Sequence, residues 1–167
     1  MYLTSNWTKL SPKGLENLTP RWGHATALYN DRMYIFGGFQ NGIYLNDLSY
    51  LDLTRMSVVN VPKFQTLGQI PKERSNFAYD TYTINNTPYL IIHGGIGSAE
   101  VFSDTYCLNL YLLKWTKLNT VGEAPERGYH TANIINNHMI VIGGENKGEI
   151  FNDICALNLI SGVWYYS

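Results

Sequence analysis

Three glycine pairs constrain this chain more than any other feature. They are Gly37-Gly38 in "YIFGGF", Gly94-Gly95 in "YLIIHGGI" and Gly143-Gly144 in "MIVIGGEN", each closing an apolar run. Glycine suits a strand interior poorly, so a single pair reads as a bulge or a tight corner. Three pairs in register make a repeat. A proline and an arginine precede each pair: Pro20-Arg21, Pro71 with Arg74, and Pro125 with Arg127, the arginines at a constant interval of 53 residues. Nine residues after each second glycine stands an aspartate (Asp47, Asp104, Asp153) behind a small polar residue (Asn46, Ser103, Asn152). Eleven residues further on come Trp115 and Trp164, with Val58 in their place in the first unit. The phrase "WTKL" at Trp115 recurs at Trp7, so the chain opens on the tail of a unit and continues through three full ones.

Each unit reads as four short strands. "GHATALYN" alternates and ends at a turn, "RMYIFGG" is apolar up to its glycines, "NDLSYLDL" alternates again, and a last run holds the Trp position. No segment keeps an apolar period of 3.6, which leaves helices out. Aromatics are abundant, with 13 Tyr, 6 Phe and 4 Trp, and favour strands. Four antiparallel strands repeated every fifty or so residues describe the blades of a β-propeller, none of which buries its two faces alone.

The residues P-x-x-R-x-x-H, the apolar run before Gly-Gly, the later Asp and the final Trp together resemble the kelch repeat, whose period is about 50 residues. The resemblance runs from Trp7 to Trp164, and the "R-x-G-H" start is most similar to propellers of the host-cell-factor and tip-elongation type. It implies an all-β, kelch-type partial propeller. Residues 1–10 would form an outer strand of a neighbouring blade, and 20–62, 71–119 and 125–167 three blades. Kelch propellers of six units need about 300 residues. The expectation is therefore the N-terminal half of a longer propeller, with the remaining blades supplied by the same chain. Pairing of two such chains into a ring is the alternative, and the leftover Trp7 strand weighs against it.

Composition narrows the functional classes. Net charge is −1 over 167 residues, which gives no nucleic-acid footprint and no attraction to an anionic membrane. No apolar run approaches the roughly 20 residues of a membrane helix, and "MYLTSNWTKL" has no signal-peptide pattern. Two cysteines, Cys107 and Cys155, make no disulfide framework, so a reducing, cytoplasmic setting is expected. Their opposite parity after Asp104 and Asp153 sends them to opposite sheet faces.

Candidate chemistry is sparse. His24 and His130 share a repeat position with Phe77, which cannot ligate a metal, and His93 stands where Phe36 and Ile142 stand. All three therefore read as packed histidines. Asp47, Asp104 and Asp153 recur once per unit, whereas a catalytic site needs one asymmetric cluster. They are expected to accept backbone N–H groups in the preceding turn. No nucleophile triad, phosphate loop or zinc motif is present. Kelch enzymes of the copper-oxidase and iron-dependent specifier types imply ligand sets that this chain does not show. No catalytic residue, cofactor or metal is expected. The expected function is a non-catalytic interaction module, with a propeller enzyme or small-ligand binder as the alternative.

Strand direction places the pre-Arg segments and the loops after Gly-Gly on one face. The loops "FQNGIYL", "IGSAEVF" and "ENKGEIF" differ in every unit, as loops of a binding face do. Partner-binding candidates are Arg21, Trp22, Arg74, Asn76, Arg127, Tyr129, Gln40, Asn41, Glu145 and Lys147. Arginine pairs carboxylates bidentately, which points to an acidic or phosphorylated protein or peptide. The competing reading has each Arg bracing its own blade. The stretch "INNTP" is expected to be a tolerated loop insertion.

Overall fold

The computed structural model describes residues 6–166. Strands β1 (Ala25–Tyr29), β2 (Arg32–Gln40), β3 (Ile43–Asp52) and β4 (Ser57–Val61) form the first antiparallel sheet in chain order. A two-residue strand β5 (Leu67–Gly68) leads into the second sheet. Its other members are β6 (Ala78–Ile84), β7 (Thr87–His93), β8 (Thr105–Asn109) and β9 (Lys114–Lys117), in the order β5-β9-β8-β7-β6. The third contains β10 (Thr131–Ile135) and β11 (His138–Ile142). After a small hairpin of β12 (Glu145–Asn146) and β13 (Glu149–Ile150) it adds β14 (Ile154–Asn158) and β15 (Trp164–Tyr166). These are the three blades, each of four antiparallel strands, with β5 added to the outer edge of the second.

Turn chemistry fixes the hairpin registers. Asn30 and Asp31 have φ of 46° and 56°, and Asn85 and Asn86 have 47° and 61°, the pair of left-handed residues that a type I′ turn demands. "INNTP" is therefore no loose insertion. It is the tight turn of a β6–β7 hairpin paired from Ala78↔His93 out to Ile84↔Thr87.

Burial alternates with period 2, so each middle blade feeds two cores. Leu90 and Ile92 of β7 join Tyr34, Phe36, Phe77, Leu108 and Trp115 between the first and second blades. Ile91, one residue out of phase, joins Met139, Val141, Leu157 and Trp164 between the second and third. A strand buried on both faces has no polar side, which is why residues 89–92 of β7 are apolar without alternation. Cys107 and Cys155 lie on opposite faces of their own sheets, yet both border the second of these cores.

The sequence pattern did not announce the outer edge of each blade. β5 runs parallel to β9, with Leu67 opposite Lys114 and Gly68 opposite Trp115. Single parallel bridges, Lys13↔Ser57 and Val121↔Val163, repeat the contact on the other blades. A Cβ at Gly68 would lie 2.0 Å from the Trp115 carbonyl oxygen, so the crossing requires glycine. Gly14, Gly68 and Gly122, at a constant interval of 54, are the signal for this strand. Of the outer strand expected over residues 1–10, only residues 6–10 are described. Residues 6–10 form no strand and Trp7 is fully exposed, because no sheet edge among the described residues lies beside them. Residues 1–5 are outside the described range.

Candidate functional site

The repeated arginine and the repeated aspartate meet. Arg21 donates to Asp47 through both terminal nitrogens at 2.6 and 2.8 Å. Arg74 does so to Asp104 at 2.6 and 3.4 Å, and Arg127 to Asp153 at 2.6 and 2.9 Å. Each Nη1 also donates to the carbonyl of the first glycine of its pair, at 3.0 Å for Gly37, 3.1 Å for Gly94 and 2.8 Å for Gly143. Aromatic faces close two of the sites: the Arg74 guanidinium stands 3.9 Å from the Phe102 centroid and that of Arg127 4.3 Å from Phe151. The Arg127 partner holds the Asp153 carboxyl below its ordinary range.

These contacts correct two expectations. The arginine side chains are at most 4% exposed and bind the aspartate and glycine carbonyl of their own blade through Nη1 and Nη2, with Arg127 Nε left without a partner, so Arg21, Arg74 and Arg127 are buried braces and not exposed groups. The aspartates accept chiefly from arginine rather than from turn N–H groups. Each triad ties the pre-Arg segment, the end of the second strand and the start of the third into one joint.

The glycine pairs follow from what lies against them. A Cβ on Gly37 would meet the Arg74 carbonyl oxygen and the Phe77 ring at 3.1 Å, and one on Gly94 would meet the Arg127 carbonyl at 2.7 Å and His130 at 2.9 Å. The first glycine therefore makes room for the next blade. The second makes room for its own: Gly95 faces Phe77 Cβ at 2.7 Å and Gly144 faces the Gly128 carbonyl at 2.6 Å. Main-chain bonds complete the docking. Gly38 N–H donates to Arg74 O and Gly95 N–H to Arg127 O, both at 2.9 Å, while Asn76 N–H donates to Gly23 O and Tyr129 N–H to Asn76 O, again at 2.9 Å. In the first blade the pair sits inside a continuous β2 as a register shift between Phe36 and Gly38.

The two joints differ in side chains. Phe36 contacts Phe77 and Trp115, with ring centroids at 6.1 and 4.6 Å. His93 takes the place of Phe36 and contacts His130 and Trp164 at 5.4 and 4.8 Å. Its Nδ1 meets Thr105 Oγ1 at 3.0 Å. Its Nε2 is buried without a hydrogen-bond partner. Burial, reinforced by neighbouring His130, lowers the His93 pKa to about 3, and burial beside Arg127 lowers that of His130 to about 4.

On the loop face, Trp22 is 52% exposed and Tyr129 54%. Trp22 continues into an aromatic row, 5.2 Å from Phe39, which is 4.8 Å from Tyr44. Gly23, Asn76 and Tyr129 share a left-handed backbone position, with φ of 66°, 52° and 56°, and Trp22 stands one residue earlier, level with Ser75 and Gly128. Gln40 ends β2, Asn41 forms the following turn, Glu145 pairs with Gly128, and Lys147 is exposed at the tip of the third loop. An open cleft of about 500 Å³ is lined by Tyr129, Gly144, Glu145 and Ile150. The corresponding space beside Asn76, Gly95 and Ile96 is filled by Gly128 and Tyr129 of the next blade.

No group of three or more His, Cys, Asp or Glu among the described residues is placed to hold a metal ion. The spacing E-x-x-x-D does occur, in Glu100–Asp104 and Glu149–Asp153, but four residues on stand Leu108 and Leu157, both in the cores. No helix among the described residues is long and apolar enough to cross a membrane.

The family profile described as the KLHDC2/KLHL20/DRC7 Kelch-repeats domain matches residues 2–127 and, overlapping, 60–166. The chain belongs to the kelch-repeat family. Its sheets are kelch propeller blades, and the Arg–Asp–diglycine joint is what the kelch spacing encodes. Tip elongation aberrant protein 1 of Schizosaccharomyces pombe is 31% identical over 164 residues, covering 93% of this chain and 14% of that protein. Human Host cell factor 2 is 33% identical over 164 residues, covering 86% and 20%. N-(sulfonatooxy)prop-2-enimidothioate sulfolyase of Thlaspi arvense is 29% identical over 174 residues, covering 97% and 48%. The chain thus spans less than half the length of each of these three relatives.

Proposed function

We propose that this chain is the scaffold of a protein-interaction module, binding a protein or peptide on the face of pre-Arg segments and post-diglycine loops. One observation carries the reading: the Arg–Asp joint beneath the face is the same in all three blades, while the loops above it differ in each. A rigid repeated frame under variable loops suits recognition. Trp22, Gln40, Asn41, Asn76, Tyr129, Glu145 and Lys147 are the contact residues in this reading, and Arg21, Arg74 and Arg127 position the loops. With the three guanidinium groups buried and each paired to an aspartate, an acidic partner loses its basis on this face. Further blades from a longer chain would dock against Gly143, where a Cβ meets nothing nearer than the Phe151 carbonyl at 3.6 Å.

The test is affinity capture by the full-length protein, followed by the triple variant Gln40→Ala/Asn41→Ala/Lys147→Ala, all turn or strand-end residues. Loss of a captured partner by a variant that keeps the native circular-dichroism spectrum is the expected result. Retention of every captured protein by the variant refutes the assignment of this face. A catalytic reading has one supporting observation, the sulfolyase relative. A saturable turnover that survives the triple variant would favour it.

A further inference from the structure

The opposite end of the propeller carries a different site. Of the five arginines, three are locked to aspartate, and Arg32 forms no ion pair among the described residues. It is exposed, stands 4.7 Å from the Tyr50 centroid, and lines a cleft together with Tyr34. The cleft, of about 290 Å³, opens between the first and second blades, lined by Tyr29, Asn30, Arg32, Tyr34, Tyr111 and Leu113. Both blades are complete here, so this cleft is no unpartnered edge.

We infer that this cleft is a second binding site, which takes a single carboxylate of an acidic peptide segment. It is independent of the loop face. The guanidinium fork matches a carboxylate, and stacking on Tyr50 holds the fork while leaving donors free. Tyr111, 71% exposed, offers a ring and a hydroxyl to the residue next to the carboxylate. Asn109 Oδ1 accepts the Tyr111 and Leu112 N–H groups at 3.0 and 2.9 Å, which fixes that turn. Two acids set the charge of the ligand. Asp31 precedes Arg32, and Asp52 lies across from it in the β2–β3 ladder, its Oδ1 taken by Thr54 and Arg55. Against the single charge of Arg32 these two carboxylates leave the site without net positive charge, so recognition rests on the bidentate fork, and a phosphate dianion is disfavoured against a monoanion.

The experiment follows the Arg32 Nε–Hε resonance of the protein by NMR. Three probes are titrated separately: the peptide Ac-Tyr-Glu-Ala-NH2, its Gln counterpart, and inorganic phosphate. The Glu peptide is expected to shift this resonance saturably, and the Gln peptide to bind roughly tenfold more weakly. Arg32→Gln, which removes that resonance, is read instead on the backbone amides of Asn30 and Tyr111 in the cleft, and should abolish their peptide-induced shifts while leaving the rest of the amide spectrum in place. Tyr111→Ala, at an exposed turn, should weaken binding about threefold. No response to the Glu peptide, equal binding of the Glu and Gln peptides, or an unchanged response in Arg32→Gln overturns the site. Phosphate binding tighter than the Glu peptide overturns the monocarboxylate assignment. None of these outcomes bears on the loop-face variant, so the two readings fail separately.

Discussion

Replacing His93 and His130 by phenylalanine converts the second joint into the chemistry of the first, where Phe36 and Phe77 stand, and removes a built-in acid sensitivity. Both histidines are held neutral by burial, with pKa values of about 3 and about 4. The unfolded chain binds a proton at each near pH 6.5. Between those limits the unfolded state carries more protons, so stability is full above pH 6.5 and falls as the pH is lowered. At pH 5 each histidine has forfeited about 2 kcal/mol, from about 1.4 kcal/mol per unit over roughly 1.5 units. The pair accounts for about 4 kcal/mol, or about 8–16 °C of melting temperature for a chain of this size. The assay is thermal denaturation by circular dichroism at pH 7.5 and pH 5.0. The wild-type chain should lose that much more than His93→Phe/His130→Phe. Burial also lowers the pKa of His24, but His24 is present in both proteins and cancels. Thr105 loses its partner in the variant, at a cost of about 1 kcal/mol that does not vary with pH. Equal losses in the two proteins would refute the argument.

Three further outcomes are expected. Gly94→Ala should destabilise the chain by more than about 3 kcal/mol in urea titration, whereas Gly143→Ala should cost only about 1–2 kcal/mol. The backbone φ is 67° and 65°, but only the first meets a neighbouring blade; equal effects would refute the docking role of the first glycine. Arg74→Met leaves Asp104 and the Gly94 carbonyl without their donor in a buried joint and should cost about 3–5 kcal/mol, while Arg55→Met, at an exposed turn, should cost less than about 0.5 kcal/mol. Cys155, buried and with its thiol pushed up to about 11 by desolvation, should react with a thiol reagent only at the unfolding rate; fast labelling in native buffer, lost in Cys155→Ser, would contradict this.

The repeat made the blades legible, because strand periodicity and glycine position are local properties that spacing reports directly. It also displayed every member of the Arg–Asp joint at a fixed interval. What it withheld was their pairing, which depends on β2 and β3 bringing together residues 26 or 30 apart in the chain. Arg21, Arg74 and Arg127 were therefore candidates for a partner until the fold buried them. His93 was visible as an exception to Phe36, but its contact with His130 arises only from blade stacking. The Arg32 cleft had no signal at all. It depends on residues present in one copy, drawn from two turns about 80 residues apart, and a method that reads repeats passes over them.

The main-chain bonds between blades impose a direction in time. The Gly38 N–H finds its acceptor in Arg74, and Gly95 in Arg127, always in the unit that is made later. At roughly 5–20 residues per second, the 36 residues from Gly38 to Arg74 occupy the ribosome for about 2–7 s. Phe36 waits for Trp115 about twice as long. A nascent blade thus stands with one face uncovered for seconds, and a chaperone that shields apolar sheet faces has a recurring interval, once per repeat, in which to act.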